Sequence, residues 1–97
     1  MNVGVCQVKL RLPENQSLKG KRRVLKSIIA RVRNEFNVSV AEVGDQGLWQ
    51  SAILGIGYVS NDTRHTNEVL SKVVDFINRS HFEMEMLDYE IEIISVF

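Results

Sequence analysis

Residues 3–36 read VGVCQVKLRLPENQSLKGKRRVLKSIIARVRNEF, and a change of period within this stretch decides the architecture. Over residues 3 to 12, Gly4, Cys6, Val8, Leu10 and Leu12 share one side, while Gln7, Lys9 and Arg11 share the other with Val3 and Val5. Alternation of this kind marks a strand with one face buried. Pro13-Glu14-Asn15-Gln16 is a polar break, and Ser17 has the hydroxyl to accept a backbone N–H as a helix N-cap. From there Leu18, Leu25, Ile28, Ile29, Val32 and Phe36 recur along one stripe at roughly 3.6 residues per turn, which predicts a helix over residues 18–35.

Working outward, residues 37–44 and 48–60 are β-branched or aromatic in pattern, and Gly44-Asp45-Gln46-Gly47 between them suits a hairpin loop. In the second segment Ala52, Leu54, Ile56 and Tyr58 share one side, and Trp49, Ser51, Ile53, Gly55 and Gly57 share the other. Asn61 and Asp62 are suited to cap a second helix with Val69, Leu70, Val73, Val74 and Ile77 on its core side. A last strand takes Leu87, Tyr89, Ile91 and Ile93 inward and turns Glu90 and Glu92 outward. The order β-α-β-β-α-β predicts an α+β, ferredoxin-like split βαβ fold, with two helices on one face of a four-stranded antiparallel sheet. Right-handed crossovers place the first and third strands centrally. The opposite face has no cover.

With 97 residues, 44% of them hydrophobic and 25% charged, the chain has the size and composition of one globular domain, taken here as 1–97. No apolar run approaches the roughly 18 residues that cross a bilayer, and Met1-Asn2-Val3-Gly4 carries no basic stretch leading into a hydrophobic one. The expectation is a cytoplasmic protein without membrane partners. Its single cysteine, Cys6, cannot form an internal disulfide. Formal net charge is zero, yet residues 1–33 hold nine bases against one acid, and the remainder holds three bases against eleven acids. The potential that a partner meets depends on where these charges stand, so their placement in space matters more than their total.

Several segments carry a resemblance. Leu10-Arg11-Leu12-Pro13 leads to Ser17-Leu18-Lys19, and Lys21-Arg22-Arg23-Val24-Leu25-Lys26 follows. Phe36-Asn37-Val38-Ser39-Val40-Ala41-Glu42-Val43, Leu48-Trp49-Gln50, Ser60-Asn61-Asp62 and Leu87-Asp88-Tyr89-Glu90 complete the set. With these segments spread over nearly its whole length, the chain resembles the YlxP-like bacterial family of small domains of unknown function. It departs from that pattern at Gly20, where the family usually carries an acid between the two lysines. The resemblance implies a ferredoxin-like fold and a gene neighbourhood of translation and ribosome maturation. It implies no catalytic residue.

On the predicted first helix, Lys19, Arg22, Arg23, Lys26 and Arg33 form a cationic flank beside the apolar stripe, and within the helix only Glu35, off that flank, is acidic. A phosphate backbone gains from counterion release on such a surface, which points to structured RNA or a ribosomal particle. The plain alternative is a solvated helix face. On the sheet, Glu90 and Glu92 are expected to face Lys9 and Arg11 across the first and last strands.

The uncovered sheet face supplies a second candidate surface, with Val3, Val5, Trp49 and Ile53 standing on it, and this favours self-association as a homodimer or regulatory module. One aromatic is too few for the base-stacking surface of RNA-recognition domains.

No cofactor or metal is expected. Cys6 stands alone inside a strand, His65 and His81 are far apart, and Met84 and Met86 read as gap fillers. The loop Leu12-Pro13-Glu14-Asn15-Gln16-Ser17 has no glycine to cradle a phosphate. Nothing links a nucleophile to either histidine, so no catalytic residue is assigned and the chain reads as a binding protein and not an enzyme.

Overall fold

The computed structural model describes residues 1–80 and 83–97. The elements follow the predicted order: β1 (Asn2–Arg11), α1 (Leu18–Glu35), β2 (Ser39–Gly44), β3 (Ser51–Ser60), α2 (Thr63–Arg79) and β4 (Glu85–Ser95). The sheet runs β2-β3-β1-β4 with every neighbouring pair antiparallel, which is the α+β ferredoxin-like arrangement.

Period-two burial of β1 brings Cys6, Val8 and Leu10 onto the helix side, where they meet Ala52, Leu54 and Ile56 of β3. From α1 come Leu25, Ile28 and Val32, and from α2 come Leu70, Val73, Val74 and Ile77. Removing each such Leu, Ile or Val side chain from water contributes about 1.5–3 kcal/mol. That total outweighs the poor helix propensity of Gly20, so the stripe sets how α1 lies. Phe36 and Phe76 close the far end of the helix pair edge to face, with ring centroids 5.7 Å apart.

Both helices begin on side-chain caps. Ser17 Oγ accepts from the Gly20 N–H at 2.9 Å, and Asp62 Oδ1 accepts from the N–H groups of Arg64 and His65. Gly4 lets α2 approach β1, since a Cβ there would come within 2.3 Å of Thr66 Cγ2. Beside it the Asn2 amide and the Thr66 hydroxyl, both buried, hydrogen bond at 2.6 Å.

The structure corrects the sequence-based boundaries at two places. Residues 45–50 form a loop and β3 begins at Ser51, so Trp49 precedes the strand and does not stand on the sheet face. In β4 the register shifts opposite Lys9 and Leu10: Met86 faces Leu10, Asp88 faces Lys9, and Leu87 is the extra residue of a bulge. Leu87 is therefore exposed, and Met86 packs on the core instead. Glu90 and Glu92 lie opposite Gln7 and Val5, not opposite Lys9 and Arg11, and Arg11, beyond the bulge, pairs with Glu85 at 3.5 Å.

Candidate nucleic-acid interface

The geometry of the basic helix begins with a cation that points inward. Lys21 lies four residues before Leu25, seven before Ile28 and eleven before Val32, so helical periodicity places it on the core stripe. It is 1% exposed. Its Nζ donates to the carbonyl oxygens of Asp45 at 2.6 Å, Leu48 at 2.6 Å and Ser51 at 2.9 Å, with Gln46 O at 3.4 Å. Glu42 Oε2, itself withdrawn from water, lies 2.8 Å away and supplies the counter-charge. An ammonium has three donors and no acceptor, so this ring of oxygens satisfies it completely. A buried charge without such partners costs several kcal/mol.

Lys21 thereby shapes the β2–β3 connection. Asp45 takes a left-handed conformation at φ 59°, and its Oδ2 accepts from Ser51 Oγ at 2.6 Å. The loop is also tied to the β1–α1 connection. Asn15 Nδ2 donates to Ser17 O and to Trp49 O, Gln50 Nε2 donates to Asn15 O at 3.0 Å, and Leu12 N–H donates to Gln50 O at 2.9 Å. These bonds hold Trp49 at the same end of the molecule as the start of α1, with 53% of its surface exposed.

The five predicted cations, Lys19, Arg22, Arg23, Lys26 and Arg33, are all exposed along α1. Among the described residues none of them has a carboxylate at ion-pair distance. Arg22, Lys26 and Arg33 rim a groove of about 570 Å³ between α1 and the free edge of β2, floored by Leu25, Ile29 and Val40. Arg33 closes part of that edge by donating from Nη2 to Val40 O at 2.8 Å. The one carboxylate lining the groove, Glu42, is the partner of Lys21.

Four of the later acids lie on the far edge of the sheet. Glu85, Asp88, Glu90 and Glu92 all belong to β4, at the sheet edge opposite β2, whereas α1 packs over the β2 side. The exposed cations of α1 and the acids of β4 are thus separated in space, while Arg11 and Lys21 meet acids directly.

Of the residues predicted for the uncovered face, Val3, Val5 and Ile53 stand on it, and Trp49 does not. The remaining chemical candidates are quickly placed. Burial pushes the Cys6 thiol up to about 11, which leaves a neutral core group at ordinary pH. His65 Nε2 hydrogen bonds the Tyr58 hydroxyl at 3.1 Å, and His81 lies outside the described residues. Among the described residues no three His, Cys, Asp or Glu side chains come together as a metal-ligand set, and no helix is long and apolar enough to cross a membrane.

Comparison with known proteins gives a family. Residues 3–91 match the family described as "Protein of unknown function (DUF503)". The chain belongs to the DUF503 family. It is 41% identical over 76 residues to "Uncharacterized protein YlxP" of Bacillus subtilis (strain 168), covering 78% of this chain and 83% of that protein. The DUF503 match takes in β1, both helices, β2 and β3, together with β4 as far as Ile91, and so includes the basic flank and the Lys21 ring.

Sequence reasoning found the cationic flank and missed Lys21. The signal was available: a lysine in phase with Leu25, Ile28 and Val32 has to find partners inside the fold. Its partners come from residues 42–51, about a quarter of the chain away, and no local pattern names them.

Proposed function

We propose that this DUF503 protein is a cytoplasmic, non-catalytic binding protein that engages structured RNA or a ribosomal particle through the α1 flank of Lys19, Arg22, Arg23, Lys26 and Arg33. The observation that carries the reading is the pairing of Glu42 with Lys21. It neutralises the one acid in the α1–β2 groove with a buried lysine, so the surface cations keep their charge for an outside partner. Displacement of condensed counterions from a phosphate backbone then drives association. Trp49, half-exposed near the start of the flank, is available to stack on an unpaired base. The α1 groove and the β4 edge carry opposite charge, so a polyanion would approach from the helix side alone.

Electrophoretic mobility shift with a stem-loop RNA, supported by sedimentation with purified ribosomal particles, tests the proposal. The triple variant Arg22→Glu/Arg23→Glu/Lys26→Glu should lose retention on both while its circular dichroism stays native. Unchanged binding by that variant would remove the surface from consideration.

A further inference from the structure

The face of the sheet away from the helices is sorted by cross-strand register into apolar and acidic ground. At one end Val3 lies between Val59 and Ile94, an apolar row across three strands. Next to it the order is Gly57, Val5 and Glu92, and then Gly55, Gln7 and Glu90. With Val43 on the β2 bank, these residues line a trough of about 560 Å³. Gly57 deepens it, since a Cβ there would meet nothing within 4 Å, whereas Val43 Cγ1 covers Gly55, 2.7 Å from where a Cβ would stand. Farther along the same face Lys9 is matched by Asp88 and Arg11 by Glu85. Glu90 and Glu92 have no cation across the strand from them.

We infer that this face docks a polypeptide segment of another protein that is both apolar and cationic. Apolar surface left uncovered beside a charged rim is the usual form of a protein-binding patch. The charge on the β4 bank selects the occupant. Burying Glu90 and Glu92 against an uncharged segment would cost their hydration without return, whereas Lys or Arg side chains on the incoming segment supply the missing partners.

A second copy of the chain is a poor occupant. The four strands carry only Lys9 and Arg11 as cations, both already facing acids, and Arg33 at the β2 edge is engaged at Val40 O. The cationic flank of α1 turns Leu25, Ile28 and Val32 toward its own core and leaves a large apolar side chain exposed only at its start, so along its length it brings charge with little to fill the trough. A nucleic acid is repelled by the same two carboxylates, and β1 and β3 place no aromatic on this face for a base to stack on. The inference is thus independent of the RNA reading, which concerns α1.

The test is a titration of isotope-labelled protein with a short synthetic peptide alternating Val and Lys, compared with the same peptide carrying Glu in place of Lys. Amide shifts should centre on Val5, Gly55 and Gly57 with the Lys peptide and be absent with the Glu peptide. Gly57→Leu, whose Cβ enters open space, should fill the trough and abolish the shifts, with circular dichroism showing the native fold. Glu90→Gln/Glu92→Gln should weaken binding roughly fivefold, as expected for two exposed ion pairs, and Arg22→Glu/Arg23→Glu/Lys26→Glu should leave it unchanged. Equal response to both peptides, or shifts mapping to another face, would overturn the inference. So would a parent protein that sediments as a dimer and a Gly57→Leu variant that sediments as a monomer, since the face would then belong to a second copy.

Discussion

Lys21 Nζ and Glu42 Oε2 lie 2.8 Å apart at the foot of the α1–β2 groove, and the lysine completes its coordination with carbonyl oxygens of the β2–β3 loop. One residue therefore does two jobs. It cancels the acid beside the cationic flank, and it folds residues 45–50 into the shape that carries Trp49. Lys21→Met should leave Glu42 and several carbonyls without a partner and cost about 3 kcal/mol of stability, at the lower end of the range for breaking a buried pair. Urea denaturation measures it. Lys21→Met combined with Glu42→Gln should recover part of the loss, because the stranded charge is gone; a strictly additive double variant would show that the two residues do not couple.

Gly4 and Gly57 face opposite sides of the same sheet, and their alanine variants should behave oppositely. A Cβ at Gly4 would collide with Thr66 Cγ2 at 2.3 Å and Leu70 Cδ1 at 2.7 Å, so Gly4→Ala must push α2 away from β1. Overpacking of this kind costs about 1–3 kcal/mol. Gly57→Ala enters open space and should be neutral or slightly stabilising, since alanine loses less backbone entropy on folding. Thermal melts of the two variants side by side make the comparison.

The thiol of Cys6 is held neutral by burial, its pKa pushed from 9.0 up to about 11. Folding therefore retains a proton that the unfolded chain gives up earlier. The stability associated with this group is complete below about pH 9 and is lost as pH rises toward 11. Cys6→Ala should remove that component of the alkaline decline in chemical denaturation. In native protein at neutral pH the thiol should react with a disulfide reagent far more slowly than in denaturant, because a protonated, buried sulfur is a poor nucleophile.

If the five cations of α1 meet phosphate, log affinity for single-stranded RNA should fall against log salt with a slope of roughly −3.5. Arg33 has part of its guanidinium engaged at Val40 O, so Arg33→Ala should change the slope less than Arg22→Ala. Fluorescence anisotropy across a salt series reads both. A flat response would separate binding from the flank.

Much of this was legible in local pattern. The switch from alternation in residues 3–12 to helical spacing in 18–35 marked β1 and α1, and Ser17 and Asp62 announced the helix starts because capping depends on neighbours a few residues apart. The cationic flank was legible for the same reason: side-chain direction on a helix follows from spacing alone. The register of β4 was not, because a bulge at Leu87 shifts pairing without leaving a period-two trace that distinguishes it from a regular strand. Trp49 was placed on the sheet by alternation that continues into a loop, and the bonds that make it a loop come from Lys21 and Asn15.

By itself, then, the order of residues determined the elements, their caps, the core stripes and the outward stand of the basic side chains, since each depends on atoms close together along the chain. Only the tertiary structure decided which charges meet. It joined Lys21 to Glu42 and Arg11 to Glu85, set Lys9 across the strand from Asp88, and left the α1 cations and Glu90 and Glu92 on opposite sides of the molecule. Electrostatic energy depends on distance through space, and strand order and register bring distant parts of a chain together where sequence separation cannot.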